Sequence, residues 1–453
     1  MMRSMFSGVS GLKVHQTKMD VIGNNIANVN TVGYKSQRVT FSDVFSQTIS
    51  ASSSANDETG RGGVNVMQVG LGVNVSSIDM LMTQGAAQRT DNPFDVMING
   101  DGFIVVGDAT GQYFTRAGTL RLDAEGNLVI SNGMKVQGWN GPAIKNDKTG
   151  DYEIPRGQVD TINLGSGENK SIAPTATQKI DLTGNLCTTD SEIETSVSFY
   201  DSLGNVYSMP IILTNTQGSW KIDVKETQVY DDQNVVSSKQ VVTDQNGNMY
   251  EVSGVDFTKG TIDFDENGTV KKDNNNKIED ITFSVTISAG VKKAEKDDIP
   301  AMPTSTVATD KQDFAMNIST LTQYAIKSSI NSKSDGNAAG DLSGYSIDSN
   351  GIITATYSNG DIKKIAQIPL AQFDNPTGLE KVGDNVYAMT TNSGQFDGIG
   401  STGVFNTGVL EMSNVDLSSE FTDMIVTQRG FQANSRIISV SDEMLQELTN
   451  LKR

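Results

Sequence analysis

The sequence is poor in cysteine, proline and aromatic residues. Cys187 is the only cysteine among 453 residues, so no disulfide can form within the chain. The nine prolines lie between Pro93 and Pro376, which leaves both ends without the residue that most strongly interrupts helices. A hydrophobic share of 36% and an aromatic share of 6% are low for one large globule, yet too high for a disordered chain.

Basic charge and long apolar runs are also lacking. The formal net charge of −19 argues against a protein that wraps nucleic acid, because phosphate binding needs a basic surface. No apolar run reaches the roughly 18 residues of a membrane span, so we expect no membrane insertion. The first residues, MMRSMFSGVSGLKVHQTKMD, have no unbroken apolar stretch and no small-residue cleavage site, so we expect no cleavable secretory signal peptide.

Signatures of catalysis and metal binding are missing as well. His15 is the only histidine, and no sequence signature supplies the nucleophile and orienting group that a general base requires. The DFDENG segment at residues 263–268 imitates the start of a calcium loop, but the twelfth position is Asn274 instead of glutamate. We therefore expect a protein that is not an enzyme, with no catalytic residues, no cofactor and no metal site.

Glycine and turn-forming residues are abundant in the middle of the chain. From Val64 onward, apolar and polar residues alternate with a period of two, as in VNVMQVGLGVNV and DVMINGDGFIVV. Asn99-Gly100 and repeated D-x-x-G-[NT] segments, such as residues 201–205, mark turns between strands. This pattern predicts an antiparallel β region and, from about Ser191, a second β region.

Both ends carry a seven-residue apolar repeat, which is typical of helices that pack along other helices. We predict long terminal helices at about Arg3–Asn28 and Asn414–Leu451. After the first helix, Tyr34 to about Ile49 is predicted to add a short amphipathic element. The apolar residues expected to form an assembly interface on them are Met5, Leu12, Met19, Ile22, Ile26, Leu417, Phe421, Met424, Phe431, Ile438, Leu445 and Leu448.

Charge and glycine content suggest how these helices are stabilised. Gly8, Gly11 and Gly23 each cost about 1 kcal/mol relative to alanine within a helix, so packing must stabilise the first helix, and the glycines allow a neighbour to approach closely. Residues 1–46 carry five basic and two acidic side chains, whereas residues 411–453 carry four basic and seven acidic ones. Opposite charge favours association of the two ends.

The predicted fold class is mainly β with long N- and C-terminal coiled-coil helices. The β domains are nested between these helices, which brings the two ends together. The predicted divisions are a terminal helical domain of residues 1–30 and 412–453, a connecting segment of 31–70, a discontinuous β domain of 71–186 and 340–411, and an inserted outer β domain of 187–339.

Three segments resemble the axial proteins of the bacterial flagellum. SGLKVHQTKMDVIGNNIANVNTVGYK resembles the family's opening motif, and EMSNVDLSSEFTDMIVTQRGFQANSRIISVSDEMLQELTNLKR resembles its closing motif. NPFDVMINGDGFIVV resembles the signature of its β domain. An insertion of roughly 150 residues, which begins with VSFYDSLGNVY, favours a hook subunit over a distal rod subunit.

The resemblance implies a structural subunit that polymerises with copies of itself into a flexible, curved tube, a universal joint between motor and filament. The implied location is extracellular, in the hook, after export by the flagellar type III apparatus. Further implied partners are the hook-cap scaffold, the distal rod and the hook–filament junction proteins. A distal rod or hook-associated protein, and a non-polymer adhesive or carbohydrate-binding β protein, remain alternatives.

One covalent modification is also implied by the resemblance. Hook proteins of some bacteria join a cysteine-derived dehydroalanine to a lysine of the next subunit as lysinoalanine. In this sequence the corresponding cysteine is Cys187, and Lys170 or Lys179 is expected to supply the amine.

Overall fold

The computed structural model describes residues 2–54, 60, 62–141, 144–145, 152–155, 157–216, 218–230, 236–253, 255, 257–258, 260–272, 280–293, 312–394 and 404–451. The chain forms two compact units. The first contains Met1–Asn169, Gly344–Thr356 and Ile362–Arg453, and the second contains Lys170–Ser343 and Tyr357–Asp361. Asn274, the last position of the imitated calcium loop, lies outside the described residues.

Long helices stand at both ends of the first unit, as the apolar repeats predicted. The N-terminal helix is Met2–Ala27 and the C-terminal helix is Leu417–Asn450. The Asp416 carboxylate begins the second of these by accepting the Ser418 backbone N–H at 2.9 Å. A short helix at Gly167–Lys170 and a 3₁₀ turn at Pro376–Gly378 complete the described helices. Neither long helix carries the uninterrupted apolar stretch that crossing a bilayer would require, within the part of the chain that is described.

Most of the first unit is antiparallel sheet. In its central sheet, Ile362–Gln367 pairs with Lys135–Asn140, which pairs with Phe103–Gly107. The described strands that lie wholly in this unit are Gln37–Asp43, Ser46–Ser50, Met67–Gly70, Val73–Met80, Ala87–Arg89, Val96–Asn99, Phe103–Gly107, Gln112–Thr115, Arg121–Leu122, Leu128–Val129, Lys135–Asn140, Ile144–Lys145, Tyr152–Glu153, Asp160–Thr161, Ile362–Gln367, Leu370–Ala371, Glu380–Gly383, Val386–Ala388, Val404–Thr407 and Val409–Glu411.

Aromatic side chains fill one core of this unit. Phe103 contacts Phe373 and Tyr387 edge to face, and Phe114 contacts Phe373 in the same way. Phe103, Phe114 and Tyr387 are buried. Every residue of the strand Phe103–Gly107 is buried, so both faces of this strand are covered, as in the centre of a packed sheet.

Paired strands form the segment between the N-terminal helix and this core. Gln37–Asp43 pairs antiparallel with Val73–Met80, and Ser46–Ser50 pairs antiparallel with Met67–Gly70. The amphipathic element predicted near Phe41 and Phe45 is therefore part of a β-ribbon: Phe41 lies in the strand Gln37–Asp43, and Phe45 lies just before the strand Ser46–Ser50.

The second unit is also mainly β. Its described strands are Ser171–Ile172, Lys179–Cys187, Glu192–Tyr200, Val206–Thr216, Ser219–Val224, Glu226–Tyr230, Val236–Asp244, Met249–Ser253, Thr261–Asp263, Ile281–Lys293, Gln312–Tyr324 and Ser329–Ser334. Two more strands, Gly340–Ile347 and Ile352–Tyr357, include residues of both units. Lys179–Cys187 pairs in parallel with Gln312–Tyr324, an arrangement that hairpin signals alone do not predict.

The predicted D-x-x-G-N turns share one geometry. In the turn at residues 201–205, one oxygen of Asp201 accepts the backbone N–H groups of Leu203 at 2.9 Å and Asn205 at 2.8 Å. Its other oxygen accepts the Asn205 side-chain N–H at 2.9 Å. The turns that begin at Asp123 and Asp244 repeat these contacts. These carboxylates stabilise hairpins, as the sequence predicted.

Candidate assembly interface

The N- and C-terminal helices pack antiparallel within one chain. Facing residues show this because their numbers rise along one helix as they fall along the other. These residue pairs are Gly8 and Ile438, Gly11 and Asn434, His15 and Gly430, Lys18 and Asp423, and Asn25 and Glu420. The pairing of the chain's two ends, expected from their charge and apolar repeats, is therefore present in the structure.

Glycines allow this close approach. A Cβ atom on Gly11 would lie 2.6 Å from Nδ2 of Asn434, and one on Gly430 would lie 2.8 Å from the His15 ring. A Cβ atom on Gly8 would lie 3.3 Å from Ile438. In contrast, the corresponding position on Gly23 has no atom within 4 Å. Two of the three predicted glycines thus serve the contact within the chain, together with Gly430, which the sequence analysis missed.

The predicted assembly residues fall into three classes by exposure. Ile22 is buried within the chain, with only 3% of its surface exposed. A second class is half-buried, namely Met5, Leu12, Met19, Ile26, Met424, Phe431, Ile438 and Leu445. The exposed class is Leu417, Phe421 and Leu448. The helix pair therefore covers part of both apolar repeats within a single chain and leaves the rest exposed.

Further large apolar side chains remain exposed on both helices. On the N-terminal helix they are Met2, Phe6 and Val9. On the C-terminal helix, besides the three predicted residues, they are Ile425, Val426, Ile437, Val440, Met444 and Leu451. The β-ribbon adds Phe41, Val44, Phe45, Ile49, Val64, Val66, Met67, Val69 and Ile78. Exposed apolar surface on this scale is typical of a surface that binds a protein partner.

His15 occupies the helix contact as a packed ring. Its Nδ1 atom is buried without a hydrogen-bond partner, and its ring meets Phe41 edge to face at 6.2 Å between centroids. Burial, and then the positive charge of Lys18, lower the pKa of His15 below 6.5. The neutral ring therefore fits this position better than the charged one.

Polar residues anchor the two helices to the β-structure next to them. We call Asn25, Tyr34, Lys35, Glu411, Asn414 and Glu420 the junction cluster. The Asn25 side chain donates to the Gln37 carbonyl oxygen and to Oε1 of Glu420, both at 2.9 Å, and its oxygen accepts the Gln37 N–H at 3.0 Å. The Tyr34 hydroxyl donates to the same Asn25 oxygen at 3.3 Å. Asn25 thus links both helices to the strand that begins at Gln37.

A buried ion pair lies at the centre of the junction cluster. Lys35 Nζ donates to Glu411 Oε1 at 2.7 Å and to the Thr83 carbonyl oxygen at 2.7 Å. Both charged side chains are 0% exposed. The Gly85 N–H also donates to Glu411 Oε1 at 2.9 Å, and Arg116 lies 3.5 Å from the other carboxylate oxygen. Two cations and one backbone N–H therefore surround this carboxylate.

Burial shifts the pKa of two charged groups in the junction cluster, Lys35 and Glu420. It lowers the pKa of Lys35, while the hydrogen bond to Glu411 opposes that change. It raises the pKa of Glu420, while the hydrogen bond from Asn25 opposes that change. Both charged forms therefore depend on their partners, as buried charges generally do.

Gly33 and Asn414 complete the connection between the two ends. Gly33 has a φ of +68°, and its N–H donates to the Glu411 carbonyl oxygen at 2.8 Å. A Cβ atom there would lie 2.8 Å from the Ala117 backbone nitrogen, so only glycine fits without movement. The Asn414 side chain accepts the Ser36 N–H and donates to the Leu81 carbonyl oxygen, each at 2.8 Å.

The sequence did not reveal the junction cluster. Asparagine and glycine in NNIANVNTVGYK are typical of the end of a helix and give no sign of long-range partners. The partners of Lys35 and Asn25 lie 376 and 395 residues away, and no local pattern gives such a pairing. The available signal was an isolated lysine at the end of one terminal motif and a glutamate at the start of the other.

Cys187 lies at the end of a strand within the second unit. It is 8% exposed, and its Sγ atom lies 3.0 Å from the Thr189 hydroxyl. Lys170 and Lys179 are exposed. Lys179 begins the strand that Cys187 ends, so their Cα atoms are about 26 Å apart within one chain at about 3.3 Å per residue.

No group of three or more histidine, cysteine, aspartate or glutamate side chains is placed to hold a metal ion, among the residues that the structure describes. The imitated calcium loop forms a tight turn in which the Gly268 N–H donates to the Asp265 carbonyl oxygen at 2.8 Å.

Four family models match the chain. They are "Flagella basal body rod protein" at residues 5–35, "Flagellar hook protein FlgE/F/G D1 domain" at 97–172, "Flagellar basal body protein FlaE D2 domain" at 168–336, and "Flagellar basal body rod FlgEFG protein C-terminal" at 406–451. The first and last of these cover the two ends that the junction cluster joins.

Full-length relatives agree with these matches. The flagellar hook protein FlgE of Treponema pallidum is 37% identical over 100% of both chains, and that of Borreliella burgdorferi is 39% identical over 100% of both chains. The flagellar basal-body rod protein FlgG of Bacillus subtilis is 29% identical over 100% of both chains.

Proposed function

The chain belongs to the family of flagellar hook proteins, and on this premise we propose that it is a structural subunit that polymerises into the bacterial flagellar hook. The observation that carries the proposal is the full-length identity to two hook proteins, 37% and 39%. The exposed apolar residues of the two terminal helices support it, since they give one chain a surface that other copies can cover. The hook is an exported, extracellular structure, and the chain acts there as a building unit and not as an enzyme.

The helix pair is the proposed inner part of the tube. Within one chain, Gly8, Gly11 and Gly430 bring the helices together and leave the exposed apolar side chains directed away from that contact. In the polymer, the exposed assembly residues Leu417, Phe421 and Leu448, the uncovered parts of the half-buried ones and these further exposed side chains pack against the helices of neighbouring copies as a coiled-coil bundle. Ile22 stays buried within its own chain. The junction cluster fixes the helix pair to the adjacent strands, so force on the helices reaches the β-structure directly.

The predicted domain division supplies the flexibility of a universal joint. The terminal helical domain comprises residues 1–30 and 412–453, followed by the connecting segment of 31–70. The discontinuous β domain comprises 71–186 and 340–411, and the inserted outer β domain 187–339. Rigid domains that slide past those of neighbouring copies let each row of subunits shorten and lengthen as the curved tube rotates.

Assembly follows from this function. The subunit is exported by the flagellar type III apparatus and is added at the growing tip beneath a hook-cap scaffold. The completed tube joins the distal rod at one end and the hook–filament junction proteins at the other.

A covalent cross-link between subunits would stabilise the tube. In this proposal Cys187 loses its sulfur as hydrogen sulfide to give dehydroalanine, and the amine of Lys170 or Lys179 from the next copy adds to that alkene. The exposure of both lysines supports this, and the span between Lys179 and Cys187 within one chain favours a bond between copies. Mass spectrometry of purified polymer should detect the lysinoalanine peptide, and intact Cys187 throughout would exclude it.

A distal rod subunit is the second candidate, favoured by the 29% identity to a basal-body rod protein over full length. Expression of the chain in a strain lacking its own hook protein separates the two. A hook subunit restores a curved tube in electron micrographs and restores swimming, whereas a rod subunit restores neither. Restoration of the rod in a strain that lacks the distal rod protein would overturn the proposal.

A further inference from the structure

We propose that Asn99 is a site of spontaneous deamidation, at which the Gly100 backbone nitrogen attacks the Asn99 side chain. Asparagine followed by glycine is the dipeptide most prone to this reaction, because glycine leaves the attacking nitrogen unhindered. The chain contains seven such pairs, which begin at Asn99, Asn132, Asn140, Asn246, Asn267, Asn350 and Asn359. The structure distinguishes the first of them from the other six.

In those six pairs a hydrogen bond holds the glycine N–H. The acceptor is a backbone carbonyl oxygen in every case, at 2.8 to 3.2 Å. The donors and acceptors are Gly133 to Ile130, Gly141 to Ile365, Gly247 to Asp244, Gly268 to Asp265, Gly351 to Asp348, and Gly360 to Tyr357. A nitrogen held in this way cannot reach the side chain of the preceding residue until the turn opens.

Gly100 differs because its N–H has no hydrogen-bond acceptor among the described residues. Asn99 is paired with Val404 in an antiparallel ladder. The Phe405 N–H donates to the Ser349 carbonyl oxygen at 2.8 Å and not to Ile98, which faces Phe405 in the ladder. Because hydrogen-bonded pairs alternate along an antiparallel ladder, Asn99 forms the hydrogen-bonded pair with Val404, and its neighbours Ile98 and Gly100 do not bond to that strand. The Gly100 N–H therefore points away from the strand Val404–Thr407.

The surroundings of the pair are open. Asn99 is exposed, and its side-chain oxygen accepts one long hydrogen bond, from Gln84 Nε2 at 3.4 Å. Gly100 has a φ of +103°, and a Cβ atom built on it would have no atom within 4 Å. The side chain and the backbone can therefore move toward each other without displacing packed atoms.

The reaction is balanced without any co-reactant except water. The Gly100 nitrogen forms a bond to Cγ of Asn99, the bond from Cγ to Nδ2 breaks, and ammonia leaves with the proton of the Gly100 amide. Water then opens the resulting succinimide at either carbonyl. The products are aspartate, with the original backbone, and isoaspartate, in which the backbone passes through the side chain.

Either product changes the end of the strand Val96–Asn99. Each adds a negative charge two residues from Asp101, and isoaspartate also lengthens the backbone by one methylene group. The strand Val404–Thr407, which pairs with it, leads through Val409–Glu411 to the C-terminal helix. The modification therefore loosens a ladder that connects the β-structure to that helix.

Peptide mapping of the intact, folded chain tests this inference. The protein is held at mildly alkaline pH and physiological temperature, digested under acidic conditions, and analysed for deamidated peptides and for isoaspartate. Asn132 is the matched internal control, because it is exposed and is also followed by glycine, but the Gly133 N–H is held at 2.9 Å. Asn99 should react about ten-fold or more faster than Asn132, since the turn at Gly133 must first open.

A second sample in denaturant measures the reactivity of both pairs without the fold. There the two asparagines should react at similar rates, and an Asn99→Gln variant should lose the modification at this position in both samples. Equal rates at Asn99 and Asn132 in the folded protein, or no reaction at Asn99, would overturn the inference.

Discussion

Lys35 donates to Glu411 at 2.7 Å although 376 residues separate them, and both side chains are fully buried. This pair joins the segment after the N-terminal helix to the segment before the C-terminal helix. Because each charge is removed from water, the loss of one partner leaves the other uncompensated.

Glu411→Ala should destabilise the first unit by about 3–5 kcal/mol, because Lys35 is then buried without its partner. Denaturant unfolding of the purified monomer measures this. Arg89→Ala is the control, since Arg89 and Asp91 form an ion pair at 2.6 Å whose side chains are exposed. That change should have little effect on stability, because water screens an exposed ion pair. Equal effects of the two substitutions would show that Lys35 and Glu411 do not hold the junction.

Gly430→Ala should weaken the helix pair, because the new methyl group would lie 2.8 Å from the His15 ring. Gly23→Ala is the matched change at a glycine with no atom within 4 Å, and it should stabilise the helix by up to about 1 kcal/mol. Thermal unfolding followed by circular dichroism gives both values. A helix pair that tolerates Gly430→Ala as well as Gly23→Ala would not have the packing described here.

The helix pair should lose stability as the pH falls below 6.5. The pKa of His15 is lower in the folded chain than its ordinary value of 6.5, so the unfolded chain binds the proton more readily. The stabilisation from neutral His15 is therefore present above pH 6.5 and is lost as the pH falls through the folded-state pKa.

Because His15 is the only histidine, its titration can be followed directly by nuclear magnetic resonance. The measured pKa should lie below 6.5, and His15→Gln should remove this part of the pH dependence of unfolding. A pKa above 6.5, or an unchanged pH profile in the variant, would contradict the expectation.

Val440→Asp should prevent polymerisation and leave the folding of the monomer nearly unchanged. Val440 is 51% exposed in the single chain, so a carboxylate there is solvated in the monomer but would be buried without a partner between copies. Ser439→Asp, at the neighbouring exposed position, is the control for added charge. Sedimentation separates polymer from monomer. Normal assembly of the Val440→Asp chain would remove this residue from the interface.

The sequence predicted the terminal helices well because their apolar repeats are local and uninterrupted by proline. Both helices end within three residues of their predicted bounds, Arg3–Asn28 and Asn414–Leu451. The repeats did not show that the closest contact runs along Gly8, Gly11 and Gly430. The glycines of the first helix did indicate a close approach, which the structure shows at Gly8 and Gly11 but not at Gly23, and nothing in the repeat of the second helix indicated Gly430.

The turns could likewise be predicted from the sequence, because an aspartate such as Asp201 accepts hydrogen bonds from residues two and four positions ahead. The pairing of strands and side chains that are distant in the sequence could not be predicted. The parallel alignment of Lys179–Cys187 with Gln312–Tyr324, and the partners of Asn25 and Lys35, depend on how distant segments meet. Exposed strand residues of the ribbon, such as Phe41, were recognised as apolar but not as β-structure, because short apolar runs do not define their own period.

Amide hydrogen exchange in the monomer and in the assembled polymer tests most directly whether copies of the chain cover the outward faces of the terminal helices. Exchange within Met2–Ala27 and Leu417–Asn450 should slow on polymerisation, and more than within the second unit. Terminal helices with the same protection in both states would contradict assembly through these helices.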